Sequence, residues 1–160
     1  MTVRLRQVPQ NAIRTRSTTS TRIDDFLAQS SLPTPFVVVD LDIVAERYRT
    51  LAEAIPAADI FYAIKANPAP QILELLVELG SNFDVASPAE IDMCLAAGAD
   101  PSRISYGNTV KKLVDIEYAY DKGVRLFAFD CDAELDKLVS AAPGALSAKS
   151  TASQPEGVPA

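Results

Sequence analysis

A near-regular repeat constrains the fold of this chain more than any other feature. Strand-like apolar runs begin near Ile60, Asn82, Arg103 and Arg125, which places them 22, 21 and 22 residues apart. Each run leads into a segment in which apolar residues recur at helical spacing, and a glycine stands where each of the first three helices would end. These glycines are Gly80, Gly98 and Gly123. The repeat therefore predicts four βα units whose strands pair in parallel.

Two folds are built from such units, the (β/α)8 barrel and the doubly wound sheet. No G-x-G-x-x-G loop follows the first strand, so nothing supports the dinucleotide-binding form of the doubly wound sheet. A complete barrel takes roughly 250 residues and eight units, whereas this chain has 160 residues and four units. The sequence thus predicts an α/β fold, a partial (β/α)8 TIM-type barrel, over residues 24–145.

The amino-acid composition of the segment before the repeat changes near residue 24. Residues 1–23 contain five arginines, no acidic residue and a run of serine and threonine, which is typical of a disordered basic leader. A transit peptide shares this composition, but we favour a plain N-terminal extension. After it we expect a short helix through Phe26 and Leu27, a strand at 36–39 and a helix from Asp42 to Ile55.

The segment after the repeat is small and polar. A fifth strand should begin near residue 147, but residues 146–160 lack alternation and have few β-branched residues. We therefore expect a disordered or frameshifted tail there, with a natural stop and a disordered tail as the alternative.

Composition excludes several classes of protein. A net charge of −6 argues against general affinity for nucleic acid or anionic membranes, and the longest apolar run is far too short to cross a bilayer. Two isolated cysteines, Cys94 and Cys131, and no histidine provide neither a disulfide framework nor a metal site, so we expect two buried thiols in a cytoplasmic protein. Any chemistry must rest on lysine or carboxylates.

Lys65 is the most informative of the residues at the predicted strand ends. Reactive groups in a barrel lie at the carboxyl ends of the strands, and Lys65 directly follows the apolar run Ile60–Ile64. Partial desolvation would favour a neutral amine able to form a Schiff base. The alternative is a lysine that extends to water. Lys111 and Lys112 are expected to form a solvated face, with pairing to a partner subunit as the alternative.

Three motifs resemble those of one enzyme family. They are Phe61–Pro68, Phe83–Ser87 with Glu90-Ile91, and Ile104–Asn108. In this order and spacing they resemble the ornithine/lysine branch of the group IV, alanine-racemase-fold decarboxylases, whose cofactor is pyridoxal 5′-phosphate. The resemblance implies that Lys65 holds the cofactor, that Asp84 lies beside it, and that Glu90 supports the site. Ser87-Pro88-Ala89-Glu90 is also a helix-capping sequence, which explains Glu90 equally well.

The resemblance further implies decarboxylation of a basic amino acid, most simply L-ornithine to putrescine in polyamine biosynthesis, by a homodimer. The family's ring-stacking histidine, glycine-rich phosphate loop and second-domain residues have no counterpart in this sequence. We therefore expect the chain alone to be inactive or poorly folded. The alternatives are a diaminopimelate or arginine decarboxylase of the same fold and a non-catalytic, cofactor-binding or regulatory homologue that pairs with a full-length subunit.

Overall fold

The computed structural model describes the backbone of residues 17–149, and the side chains of residues 22–146. The chain divides into two compact units. One contains three helices: α1 (Ser17–Gln29), α2 (Leu41–Ala54) and α3 (Pro70–Glu78). The other contains five strands and three helices: β1 (Phe61–Ala63), β2 (Asn82–Val85), α4 (Pro88–Ala96), β3 (Ile104–Tyr106), α5 (Leu113–Asp121), β4 (Leu126–Phe129), α6 (Asp132–Ala141) and β5 (Leu146–Lys149).

The five strands form one parallel sheet in which spatial order follows chain order, β1-β2-β3-β4-β5. The register pairs Ala63 with Asp84 and Val85 with Tyr106, so the carboxyl ends of the first three strands lie side by side. A doubly wound sheet reverses its strand order at a switch point, and these strands show no reversal. The sheet is that of a partial barrel, as predicted.

The predicted strand starts agree with the structure to within one residue. β2 buries Phe83 and Val85 on one face and leaves Asn82 and Asp84 half-buried on the other. The buried face forms a core with helix residues such as Ile91, which is also fully buried. Because side chains alternate along a strand, Asp84 lies on the opposite face of the sheet from this core.

Glycines end the helices that precede β2, β3, β4 and β5. They are Gly80, Gly98, Gly123 and Gly144, all with φ between +78° and +96°. This left-handed conformation strains any residue that has a Cβ atom. The three predicted helix ends are confirmed.

The predicted tail is wrong at its start. Residues Leu146–Lys149 form β5, which pairs with β4 from Leu126 to Phe129 at the position that the repeat period requires. Strand pairing uses backbone groups that every residue except proline supplies, so the small, polar composition did not prevent it. Residues 150–160 lie outside the described part of the chain.

The predicted leader is also wrong at its end, because α1 begins at Ser17 and continues through the expected helix at Phe26 and Leu27. Arg22 forms ion pairs with Asp40 at 3.3 Å and Asp42 at 2.8 Å, which accounts for one charge that composition alone assigned to a disordered segment. Residues 1–16 lie outside the described part.

Two smaller expectations also fail. Residues 36–39 are not in the sheet, since a four-residue apolar run does not by itself determine strand pairing. Cys94 is buried as expected, but Cys131 is exposed at the start of α6. Within residues 17–149, no helix is long and apolar enough to span a membrane.

Candidate functional site

A cavity of about 270 Å³ lies at the carboxyl ends of β1, β2 and β3. It brings together the three residues that the sequence indicated, Lys65, Asp84 and Glu90, although they are separated by up to 25 positions along the chain. The remaining lining residues are Ala86, Gly107, Asn108 and Thr109. The parallel register produces this convergence, because it aligns the strand ends at one edge of the sheet.

Lys65 occupies a single 3₁₀ turn, Ile64–Ala66, that follows β1. Ile64 is fully buried and anchors the turn. The Tyr62 hydroxyl donates a hydrogen bond to the Asn67 carbonyl at 3.1 Å, closing the loop around the lysine. The Lys65 side chain itself is exposed, so the partial desolvation expected from the sequence is not found. The turn holds an amine at the mouth of the cavity, where a carbonyl compound can reach it.

Asp84 contributes a carboxylate from the open face of β2. Burial raises the pKa of this carboxyl above its ordinary value; the charge of Lys65 opposes the rise and the charge of Glu90 adds to it. Desolvation and a neighbouring carboxylate both disfavour the ionised form. The charges of Lys65 and Glu90 therefore both act on the Asp84 carboxyl.

Gly107 makes room for the Asp84 side chain. A Cβ atom at residue 107 would lie 2.8 Å from the Asp84 Cγ, closer than real Cβ contacts. The Gly107 amide donates to the Val85 carbonyl at 3.0 Å, extending the β2–β3 pairing past the end of β3. Gly107 thus borders the aspartate at the carboxyl end of β3.

Glu90 caps the start of α4, and its side chain also lies at the cavity. The Ser87 hydroxyl accepts a hydrogen bond from the Glu90 amide at 3.3 Å, and the Glu90 carboxylate accepts one from the Ala86 amide at 2.7 Å, so the α4 N-terminus is capped. The same side chain lines the cavity. Burial, with the Glu90 charge adding to it, raises the pKa of the Cys94 thiol to about 12. That thiol is therefore not a nucleophile at neutral pH.

Lys111 was expected on a solvated face and is instead buried, whereas Lys112 is exposed. The Lys111 ammonium forms an ion pair with Glu134 at 2.8 Å, and both side chains are at most 2% exposed. No local pattern predicts this burial, because the partner is 23 residues away along the chain. The only available signal was that Asn108-Thr109-Val110-Lys111 directly follows a strand end.

The residues around the cavity fit the aldehyde end and ring of pyridoxal phosphate. They present one primary amine, from Lys65, and two carboxylates, from Asp84 and Glu90. An amine is what an aldehyde cofactor bonds to, and carboxylates suit a ring nitrogen that binds a proton. Across residues 17–149, no group of three or more cysteine or acidic side chains is arranged to hold a metal ion.

Comparison with known proteins agrees with this fit. The profile of the pyridoxal-dependent decarboxylases, pyridoxal binding domain, matches residues 41–151. A lysine/ornithine decarboxylase of Selenomonas ruminantium is 47% identical over 114 residues, which are 71% of this chain and 29% of that protein. The antizyme inhibitor 2 of Xenopus laevis is 37% identical over 110 residues, 69% of this chain and 24% of that protein.

A solved structure shares the fold. The arginine decarboxylase of Paramecium bursaria Chlorella virus superposes with a TM-score of 0.74 at 29% identity, over 81% of this chain and 35% of that one. The chain thus spans less than a third of the length of the two relatives named above. The predicted family, its barrel fold and its cofactor class are confirmed: the chain belongs to the pyridoxal-dependent decarboxylases, and its residues 41–151 match their pyridoxal-binding domain.

Proposed function

We propose that this chain supplies the cofactor-anchoring part of a basic amino-acid decarboxylase, with Lys65 as the residue bonded to pyridoxal phosphate. One observation supports this above all others: the exposed amine of Lys65 and the carboxylates of Asp84 and Glu90 line one cavity at the strand ends. A lysine extending to water elsewhere on the surface would not be electrostatically coupled to a half-buried aspartate.

The residues have separate tasks in this proposal. Lys65 would hold the aldehyde carbon of the cofactor through its amine and, once free, could pass a proton to the substrate. Asp84 faces the amine and balances its charge, while Glu90 fixes the start of α4 beside them. When bound, pyridoxal phosphate supplies an electron-withdrawing ring that accepts the electron pair left as carbon dioxide departs.

The proposed substrate is L-ornithine, with putrescine as the product, in a homodimer of the cytoplasm. The relatives include a lysine/ornithine and an arginine decarboxylase, which supports a basic amino acid as the class. Lysine and arginine are the competing substrates.

The test of Lys65 is covalent trapping. The whole chain is mixed with pyridoxal phosphate, reduced with borohydride, digested and analysed by peptide mass spectrometry. The label is expected on Lys65; Lys65→Ala abolishes it, and Lys112→Ala, which removes an exposed lysine outside the cavity, leaves it unchanged. Labelling spread evenly over exposed lysines would refute the assignment.

The substrate is tested on the same protein. An amine that enters the cavity and displaces Lys65 lowers the trapped label, so L-ornithine, L-lysine and L-arginine are compared by the concentration that halves it. The proposal expects L-ornithine to be the most effective. A lower half-effective concentration for L-arginine or L-lysine would reassign the substrate.

A second function is favoured by one observation. One of the named relatives is an antizyme inhibitor rather than a decarboxylase. A non-catalytic homologue that keeps the fold to pair with a decarboxylase subunit would show no selective label at Lys65. It would instead co-elute with a full-length family member on size-exclusion chromatography.

A further inference from the structure

The Lys111–Glu134 ion pair is not used by the proposed chemistry, yet the fold buries it completely. The two charged groups lie 2.8 Å apart and are 0% and 2% exposed. Burial of charges is costly, and apolar residues of similar volume commonly give equal or greater stability. The pair therefore calls for an explanation beyond stability.

The hydrogen bonds of the Lys111 ammonium indicate a role beyond stability. It donates to the Asn108 carbonyl at 2.9 Å and to the Ala128 carbonyl of β4 at 2.7 Å. Asn108 lines the cavity together with Lys65 and Asp84. The ammonium thus links the cavity wall to the neighbouring strand.

Glu134 fixes the other end of this link. Its Oε1 accepts hydrogen bonds from the Lys111 backbone amide at 3.1 Å and from the ammonium, and its other oxygen pairs with Lys137 on the same helix. Burial alone would raise the pKa of Glu134, but the hydrogen bonds from Lys111 and Lys137 outweigh it and the pKa is lowered. The carboxylate stays charged at neutral pH and holds residue 111 against α6.

We propose that Lys111 and Glu134 are positioning residues that hold the Asn108–Thr109 wall of the cavity in place for cofactor capture at Lys65. The inference rests on the proposed function of Lys65. Without the ammonium, the Asn108 carbonyl loses its donor, and the loop after β3 is free to move relative to the amine. Misplacement of a reacting group by about 1 Å can lower rates on the order of a hundredfold.

The experiment separates positioning from stability. In the double variant Lys111→Met/Glu134→Gln both charges are removed together, so no unpaired buried charge remains, and the glutamine oxygen can still accept from the backbone amide of residue 111. The matched control is Lys112→Met, the same substitution at the exposed neighbour. Denaturant unfolding establishes that each protein is folded.

Two measurements follow on the whole chain. Without cofactor, hydrogen exchange of the peptide covering residues 107–112 is expected to quicken roughly tenfold in the double variant and not in the control. With pyridoxal phosphate, the concentration that half-labels Lys65 is expected to rise roughly ten- to a hundredfold. A folded double variant with unchanged exchange and unchanged half-labelling would overturn the proposal.

A second variant covers the case in which the double variant does not fold. Lys111→Met alone removes the donor to the Asn108 carbonyl, while Glu134 keeps its ion pair with Lys137, so no buried charge is left unpaired. It should shift both measurements in the same direction; no shift in either overturns the proposal. If the unaltered chain is not labelled at Lys65 at all, the proposed function fails. The exchange measurement then still decides whether the pair positions the loop.

Discussion

Asp84 is a carboxylate whose surroundings oppose its own charge. It is half-buried, it shares the cavity with Glu90, and only the charge of Lys65 favours its ionised form. A group of this kind lowers the stability of the folded chain whenever it is ionised. Such destabilisation is common at binding sites, where a ligand offsets it.

Asp84→Asn is therefore expected to raise the free energy of unfolding at pH 7, by up to about 1 kcal/mol. Because the folded-state pKa of Asp84 is raised, the cost of its charge is fully present above that pKa and absent below the ordinary value of 3.8. The extra free energy of unfolding of Asp84→Asn should therefore shrink as pH falls through this window. Urea unfolding of the variant and the unaltered chain from pH 7 to 3 measures it. A gain that persists unchanged at the lowest pH would contradict this account.

At this scale the sequence was informative where a residue's position followed from its neighbours. Lys65 and Asp84 follow or belong to strand runs, so the strand repeat placed both at one edge of the sheet. The burial of Lys111 could not be predicted, because it depends on a carboxylate from a different βα unit. The exposure of Lys65 depends on the conformation of the turn Ile64–Ala66. The apolar residues before Lys65 do not determine that conformation.

At the scale of elements, the first turn of α4 contains a residue that belongs to both the helix and the cavity. Glu90 accepts from the Ala86 amide and also adds negative charge beside Asp84. The cap needs an oxygen acceptor, whereas the electrostatic effect needs a charge. The two contributions can therefore be separated by substitution.

Glu90→Gln is expected to keep the free energy of unfolding within about 0.5 kcal/mol, because the amide oxygen can still accept from Ala86. It should also lower the pKa of Asp84, since the neighbouring negative charge is gone. Glu90→Ala loses the acceptor and should cost about 1 kcal/mol. Urea unfolding and NMR titration of the Asp84 carboxyl carbon measure the two effects; an unmoved Asp84 titration in Glu90→Gln would refute the coupling.

The helix-ending glycines differ in their surroundings, which gives a matched pair of tests. A Cβ atom at Gly98 would meet nothing within 4 Å, whereas at Gly123 it would lie 2.9 Å from Pro101 Cβ. Gly98→Ala is expected to cost about 1 kcal/mol, from backbone strain alone. Gly123→Ala should cost about 2–3 kcal/mol, since the clash adds to the strain. If the two variants lose equal stability in thermal unfolding, Pro101 moves away from the added methyl group without an energetic cost.

The helix ends could be predicted because glycine acts locally, through its own backbone. The segments predicted wrongly, 36–39 and 146–149, are short runs whose state depends on whether a partner strand is within reach. Composition describes a segment alone, and strand pairing is a property of two segments.

At the scale of the whole molecule, the sheet ends in a strand with one neighbour. Within residues 17–149, β5 pairs only with β4, and its first residue, Leu146, is 69% exposed. An unpaired edge with an apolar side chain is a site for association with other chains.

Leu146→Lys is expected to raise the concentration at which the chain self-associates by about tenfold, equivalent to about 1.4 kcal/mol. A charge at the edge disfavours strand addition. Light scattering across a concentration series measures the effect, with Val114→Lys, an exposed apolar position on α5, as the control. An equal shift in the control would show that general charge repulsion, rather than the sheet edge, governs association.

The close approach of residue 107 to Asp84 links two positions that are far apart in the sequence. Because the aspartate carboxyl occupies the space that a Cβ atom at residue 107 would need, a side chain there is compatible only with a different rotamer at residue 84. Substitutions at the two positions should consequently be non-additive in a double-mutant cycle. In evolution, the residues at 84 and 107 would then change together. A domain of this family with alanine at position 107 would hold the aspartate at position 84 in a different rotamer.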